Sequence, residues 1–148
     1  MAEEEKQGRE ELVFDIDQDP YNYVMRVVFC RWKPFILRAM HSDEGEMTHF
    51  SRFMKQLPIT QKVLSQNLRA LEEDGLIYRT VLPTKPPQVE YRLTDSGKAL
   101  IPLLNQIYAW GWNEMNQRNM PIDALGEMWH GFRDRDEAFM QHPYKKKK

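Results

Sequence analysis

Leucine side chains recur at helical spacing in the stretch TQKVLSQNLRALEEDG. Leu64, Leu68 and Leu71 fall on one face of a 3.6-residue helix, whereas polar side chains occupy the opposite face. Thr60 is a good N-cap, and Gly75 can adopt the positive φ with which many helices end. The pattern therefore predicts an amphipathic helix that begins after Thr60 and closes at Gly75 in a Schellman motif.

A period of two replaces the helical period beyond this point. β-Branched and aromatic residues alternate with polar ones from Leu76 to Leu82 and from Val89 to Leu93, on either side of a PTKPPQ turn. The prolines stiffen the turn and keep its tip from pairing with another strand, so that Lys85 projects with little chain entropy left to lose. We predict a two-stranded ribbon whose tip presents a cation.

Three shorter helices are predicted before this unit. Asp19 and Pro20 suit the N-cap and N1 positions of a first helix that runs to about Cys30, and Pro34 opens a second. Thr48 is predicted to cap a third helix, which packs against the core. The apolar residues at helical spacing in that third helix are Phe50, Phe53, Met54 and Leu57.

The third helix, the Pro58-Ile59 turn and the Thr60 helix together have the pattern of a helix-turn-helix. After the ribbon, Thr94 caps a long last helix that Pro102 interrupts. Its apolar residues cover more than one face, which predicts that part of this surface packs on a second copy of the chain. The residues assigned to that dimer interface are Leu103, Leu104, Ile107, Tyr108, Trp110 and Trp112.

The predicted fold class is α+β, mainly helical: a winged helix-turn-helix with additional N- and C-terminal dimerisation helices. Residues 1–14 are interpreted as a flexible acidic tail, and residues 15–118 as the winged helix-turn-helix domain with its dimerisation helix. Residues 119–148 are interpreted as a C-terminal helix and a basic tail. A chain of 148 residues without internal repeats is consistent with this single domain.

Charge adds little to this picture. The formal net charge is −1, but residues 31–100 hold eleven basic and eight acidic residues, so the middle of the chain is mildly positive. A surplus of three would not by itself suggest nucleic acid as a partner. No apolar run is long enough to cross a membrane. The acidic N-terminus lacks the pattern of a secretory signal and a single cysteine excludes an intramolecular disulfide framework, and both predict a cytoplasmic protein.

Catalytic and cofactor chemistry has no convincing motif. The sequence contains no glycine-rich phosphate loop and no G-x-S-x-G, and its histidines and Cys30 lack metal-ligand spacing. The acids of SDEGE near His49 are interpreted as a solvated turn rather than a metal site, and Cys30 as a buried cysteine rather than a reactive thiol. We therefore predict no enzyme activity, no metal and no cofactor.

Polar side chains on the Thr60 helix suit hydrogen bonding in a DNA major groove. Gln and Arg pair with adenine and guanine edges, which predicts base contacts from this helix and phosphate or minor-groove contacts from the ribbon. The residues predicted to contact DNA are Thr60, Gln61, Lys62, Ser65, Gln66 and Arg69 on the helix and Arg79, Lys85 and Arg92 on the ribbon. The pattern alone leaves open that a polar helix face and a small hairpin are simply surface.

The stretch from LPITQKVL through LEEDGLI to PPQVEYRLTDSG resembles the HxlR-type winged helix-turn-helix transcriptional regulators, distant relatives of the MarR group. The similarity extends back through Trp32, Lys33, Ile36, Leu37 and Arg38 and forward to the later Trp-Gly pair. This resemblance implies a cytoplasmic homodimer that binds double-stranded operator DNA and regulates transcription, with any small-molecule effector unknown. The alternative is a winged-helix module that has lost DNA binding and serves protein interactions.

Overall fold

The computed structural model describes residues 14–42 and 47–122 of the chain. The predicted α+β winged helix-turn-helix is confirmed: within these residues the helices accompany a small three-stranded antiparallel sheet. Most of the predicted acidic tail and of the predicted C-terminal helix lies outside the described residues. The elements are α1 Pro20–Val27, α2 Lys33–Ser42, β1 Met47–His49, α3 Phe50–Gln56, α4 Gln61–Glu73, β2 Ile77–Leu82, β3 Gln88–Leu93 and α5 Asp95–Gln117, with a short 3-10 helix, Ile16–Gln18, before α1.

Helix α1 begins as predicted and ends earlier than predicted. The Asp19 carboxylate accepts a hydrogen bond from the Tyr21 backbone N–H at 2.8 Å, and Pro20 occupies the first helical position. The helix stops at Val27, so Cys30 lies in the connection to α2 and is exposed. The expectation of a buried cysteine was wrong because it relied on a helix three residues too long.

Residues Met47–His49 form strand β1, which the sequence pattern did not predict. The strand pairs with β3, placing Met47 opposite Arg92 and His49 opposite Glu90. Thr48 is buried in this strand and does not cap α3, which instead begins at Phe50 without a side-chain cap. The predicted cap at Thr48 was therefore wrong, because pairing with a distant strand holds this residue extended.

The three strands lie in the order β1-β3-β2, with both pairs antiparallel. The predicted ribbon is β2 and β3, and its register runs from Ile77 opposite Leu93 at the base to Leu82 opposite Gln88 at the tip. Because successive side chains of a strand point to opposite faces, this register fixes which ribbon residues share a face.

The hydrophobic core lies between the helices and one face of the sheet. Phe53 of α3 is fully buried, and its ring meets Tyr91 of β3 edge-on with the centroids 6.3 Å apart. Helix α4 buries its predicted leucine face in the same core. The core thus joins α3, α4 and the sheet. Its other fully buried large side chains include Ile36, Leu37, Met40, Ile77 and Ile101.

The start of α5 is tied to the end of α4 at a contact that we call the α4–α5 junction, formed by Gly75, Leu76, Thr94 and Gly97. The Thr94 hydroxyl donates to the Gly75 carbonyl oxygen at 2.6 Å and accepts from the Gly97 N–H at 3.1 Å, so it also caps α5 as predicted. The Thr94 N–H donates to the Leu76 carbonyl oxygen at 3.1 Å. The first turn of α5 therefore has little freedom to shift against the segment that follows α4.

Candidate nucleic-acid interface

Helix α4 is fixed at both ends by local hydrogen bonds. The Thr60 hydroxyl accepts from the Val63 N–H at 3.3 Å, as predicted for an N-cap. At the other end Gly75 has φ of +74°, and the N–H groups of Gly75 and Leu76 donate to the carbonyl oxygens of Glu72 and Leu71, each at 3.0 Å. These two bonds are the Schellman motif that the sequence predicted.

The two faces of α4 differ as predicted. Leu64, Leu68 and Leu71 are buried. Asn67 lies between the faces, and its side-chain amide donates to the Val63 carbonyl oxygen at 2.8 Å, so one of its two N–H donors is already in use. The helix residues that were predicted to contact DNA are all exposed: Thr60, Gln61, Lys62, Ser65, Gln66 and Arg69.

The wing consists of β2, the turn 83–87 and β3. Thr84 orders the turn, because its hydroxyl donates to the Pro86 carbonyl oxygen at 2.9 Å and accepts from the Gln88 N–H at 3.1 Å. Lys85 is exposed at the tip. The structure therefore presents the predicted cation on a turn whose backbone is held by its own hydrogen bonds.

Arg79 and Arg92 lie on opposite faces of the wing. Arg79 is opposite Tyr91 in the register, on the face that also carries the buried Ile77. Arg92 is on the other face, where its guanidinium lies 3.5 Å from the Glu90 carboxylate. The sequence grouped the two arginines, whereas the structure brings only Arg79 to the side of α4.

A cleft of about 240 Å³ separates α4 from the wing. We call it the helix–wing cleft; the residues that line it are Ser65, Leu68, Arg69, Glu72, Arg79 and Tyr91. Leu68, Glu72 and Tyr91 were not among the predicted site residues. Their place in the cleft became evident only from the pairing of β2 with β3 and from the placement of the sheet against α4, neither of which a local pattern encodes.

The residues assigned to a dimer interface fall into three groups. Leu103, Ile107 and Trp110 are exposed on α5, with 44, 39 and 69% of their surface accessible. Leu104 is 3% exposed and belongs to the core of its own chain, so its side chain is not available to a partner. Tyr108 and Trp112 are half-buried; their ring centroids lie 6.4 Å apart, and the Arg38 guanidinium carbon lies 4.0 Å from the Tyr108 centroid.

Other kinds of site receive no support from residues 14–42 and 47–122. In this part of the chain no three His, Cys, Asp or Glu residues are grouped so that they could hold a metal ion. The acidic residues 43–46 lie outside it. None of the described helices is long and apolar enough to cross a membrane.

The polar face of α4, the helix-turn-helix that carries it and the adjacent wing have counterparts in known proteins. Residues 27–119 match the model of the HxlR-like helix-turn-helix family. The chain belongs to this family. The family consists of transcriptional regulators of the helix-turn-helix type, and the resemblance noted from the sequence is thereby confirmed.

Individual relatives and solved structures of similar fold agree with this assignment. An HTH-type transcriptional regulator of Halalkalibacterium halodurans is 35% identical over 105 residues, which cover 70% of this chain and 91% of that protein. The crystal structure of the HTH-type transcriptional regulator YtcD superposes with a TM-score of 0.62 at 36% identity, covering 67% of this chain and 99% of that one. A MarR-family regulator from Enterococcus faecalis gives a TM-score of 0.59 at 28% identity, over 75 and 98% of the two chains.

Proposed function

We propose that this HxlR-like protein binds specific DNA sequences as a homodimer on a two-fold symmetric operator and so regulates transcription. The observation that carries this function is the polar face of α4. Among the described residues, no hydrogen bond or ion pair engages the side chains of Gln61, Lys62, Ser65 or Gln66. Their hydrogen-bonding groups are therefore available to a ligand.

The chemistry of this face fits a DNA major groove. An α-helix enters the groove, and in a helix-turn-helix the N-terminal residues of the second helix contact base edges. Gln61, Ser65 and Gln66 lie in the first turns of α4, where glutamine can pair with adenine and serine with several bases. The partial positive charge at the helix N-terminus also favours approach to phosphate. Neither catalysis nor a cofactor is needed for this function.

Gln66 and Lys85 are expected to contribute to DNA binding in different ways. Gln66→Ala should cost about 1–3 kcal/mol on the operator and relax sequence preference, because a base contact is lost. Lys85→Ala should weaken binding to all duplexes and lower the slope of log affinity against log salt by about 2 for a dimer, because one phosphate contact is lost per subunit. Fluorescence-anisotropy titrations on operator and scrambled DNA at several salt concentrations measure both effects.

A matched control is Glu73→Ala, since Glu73 is an exposed residue at the C-terminal end of the same helix and was not assigned a DNA contact. It should leave sequence preference unchanged. If neither Gln66→Ala nor Lys85→Ala altered affinity, preference or salt slope on a DNA that the parent protein binds, α4 and the wing would not be the binding surface. If the parent bound no DNA from around its own coding region, the protein-interaction alternative would replace this function.

The dimer is proposed to form through α5. Leu103, Ile107 and Trp110 are spaced by four and three residues, so they make one apolar stripe along the helix. A stripe of large exposed apolar side chains on a single helix is typical of a surface that packs on another protein chain. Tyr108 and Trp112 are half-buried on a different side of α5, where the Arg38 guanidinium lies over the Tyr108 ring, and they are left outside the stripe. Leu104 is left out of this interface because it lies in the core.

The expected state of the parent protein is a dimer of about twice the 17.7 kDa chain mass in sedimentation at micromolar concentration. Ile107→Glu should shift the protein to the monomer, because a charge would be buried without a partner in the interface. Asn116→Asp introduces a negative charge at an exposed position of α5 on the side away from the stripe and should leave the dimer intact. A monomeric parent, or dissociation by both variants alike, would contradict the α5 interface.

A further inference from the structure

The helix–wing cleft brings together cationic side chains from two separate elements. On α4, Ser65, Arg69 and Glu72 follow one another at spacings of four and three residues, so they line one side of the cleft. Arg79 of β2 forms the opposite side. Buried Leu68 and Tyr91 form its apolar walls. Polar residues thus line an open cleft between a helix and a strand.

The charges in the helix–wing cleft favour an anion. The lining residues include two arginines and one glutamate, and within the described part of the chain no ion pair or hydrogen bond engages the side chains of Arg69, Arg79 or Glu72. Two cations that share a cleft repel one another unless an anion lies between them. Guanidinium groups bind phosphate oxygens through paired hydrogen bonds.

The position of the cleft indicates the source of the phosphate. One sugar–phosphate strand separates the major groove of DNA from the adjacent minor groove. If α4 lies in the major groove and the wing contacts the duplex beside it, that strand must pass between α4 and the wing. The helix–wing cleft is the space between these two elements.

We propose that Arg69 and Arg79 together hold one backbone phosphate of the operator in the helix–wing cleft, an assignment that rests on the DNA-binding function proposed above. The phosphate contact fixes the register of α4 in the groove and carries no base preference. Arg69 accordingly acts as a backbone contact, whereas the sequence pattern alone predicted a base contact. Arg79 keeps its predicted phosphate contact and gains a specific partner, while Arg92 on the opposite face of the wing takes no part.

The test uses operator duplexes in which a single neutral methylphosphonate replaces one phosphate, with the position moved along each half-site. Arg69→Ala and Arg79→Ala should each weaken binding to unmodified operator and scrambled duplexes by a similar factor, on the order of tenfold. At one position, which is the same for both variants, the methylphosphonate should abolish the difference in affinity between the parent protein and each variant. The full-length protein and anisotropy titrations at fixed salt suffice.

Two controls separate this result from a general loss of charge or of structure. Lys85→Ala removes a cation at the wing tip. Its loss of affinity should persist in full on the duplex whose methylphosphonate abolishes the losses caused by Arg69→Ala and Arg79→Ala. Arg118→Ala removes a cation that pairs with Glu114 on α5, outside the cleft, and should leave the methylphosphonate profile of the parent unchanged. Circular dichroism melts check that each variant is folded.

The outcomes are distinguishable. Convergence of Arg69→Ala and Arg79→Ala on one phosphate position supports the shared site. The shared site would be overturned if the methylphosphonate abolished the defects of the two variants at different positions, if it abolished neither defect at any position, or if Arg69→Ala lost sequence preference. Each of these results would leave the DNA-binding function standing. Failure of the parent protein to bind any duplex would overturn both.

Discussion

Replacing Gly97 by alanine is expected to destabilise the protein by about 3 kcal/mol, a large share of the 5–15 kcal/mol that stabilises a typical domain. A Cβ atom at this position would overlap the Leu76 carbonyl oxygen and would also press on the Leu93 side chain. Because the Leu76 carbonyl already accepts a hydrogen bond from the Thr94 N–H, its backbone cannot move without breaking the α4–α5 junction. Urea unfolding followed by circular dichroism measures the loss.

Gly111 provides the matched control within the same helix. Apart from its chain neighbours and the backbone of its own helix, no atom lies within 4 Å of a Cβ built at Gly111, and alanine is favoured over glycine in a helix interior by about 0.5–1 kcal/mol. Gly111→Ala should therefore leave stability unchanged or raise it slightly when both variants are compared at equal protein concentration. Equal effects of the two substitutions would show that α5 does not press against the α4–β2 connection.

Phe53→Ala is expected to cost about 3–5 kcal/mol of stability, because it removes a fully buried ring that links α3 to Tyr91 of the sheet. The loss of this support should also lower operator affinity at temperatures where the parent protein is still folded. Thermal melts and anisotropy titrations on the same samples measure both effects.

Met54→Ala changes the next residue of α3, whose side chain is 37% exposed, and should cost less than about 1 kcal/mol. The contrast between the neighbouring positions tests the face of α3 that supports α4. A Phe53→Ala variant as stable as Met54→Ala would place the helix-turn-helix on a different core from the one described.

The helix boundaries set by local chemistry were predictable from sequence. Asp19, Thr60 and Thr94 each accept a backbone N–H two or three residues ahead, and Gly75 adopts the positive φ that its lack of a Cβ permits. These bonds join residues that are neighbours in the chain, so the sequence contains all of the information that they require. The leucine face of α4 was predictable for the same reason.

Features that depend on distant partners were not predictable in this way. Strand β1 is three residues long and exists because it pairs with β3, more than forty positions away along the chain. Its Thr48 has the side chain of a good N-cap, and local chemistry alone favours that role. Tertiary pairing overrides this preference, as it does for many short strands.

In the candidate site, too, features set by local sequence were predictable and features set by distant partners were not. The polar face of α4 followed from helical periodicity, and its residues are exposed as expected. Which arginine of the ribbon faces α4 depends on the sheet register, and the structure places Arg79 there and Arg92 on the reverse face. The apolar residues of α5 divide between core and surface according to where α2 and the sheet cover that helix, so Leu104 lies in the core while Leu103 and Ile107 remain exposed.

A small change of angle at the α4–α5 junction would produce a large displacement at the far end of α5. With 23 residues and a rise of 1.5 Å per residue, α5 is about 34 Å long, so a rotation of only about 10° at Thr94 and Gly97 would move its far end by about 6 Å. Half-sites on DNA are read at intervals of one helical turn, about 34–36 Å. A displacement of about 6 Å would therefore misplace one reading helix relative to its groove. In a dimer joined through α5, the Thr94 hydroxyl and the absence of a side chain at Gly97 would thus set the operator spacing that the protein accepts.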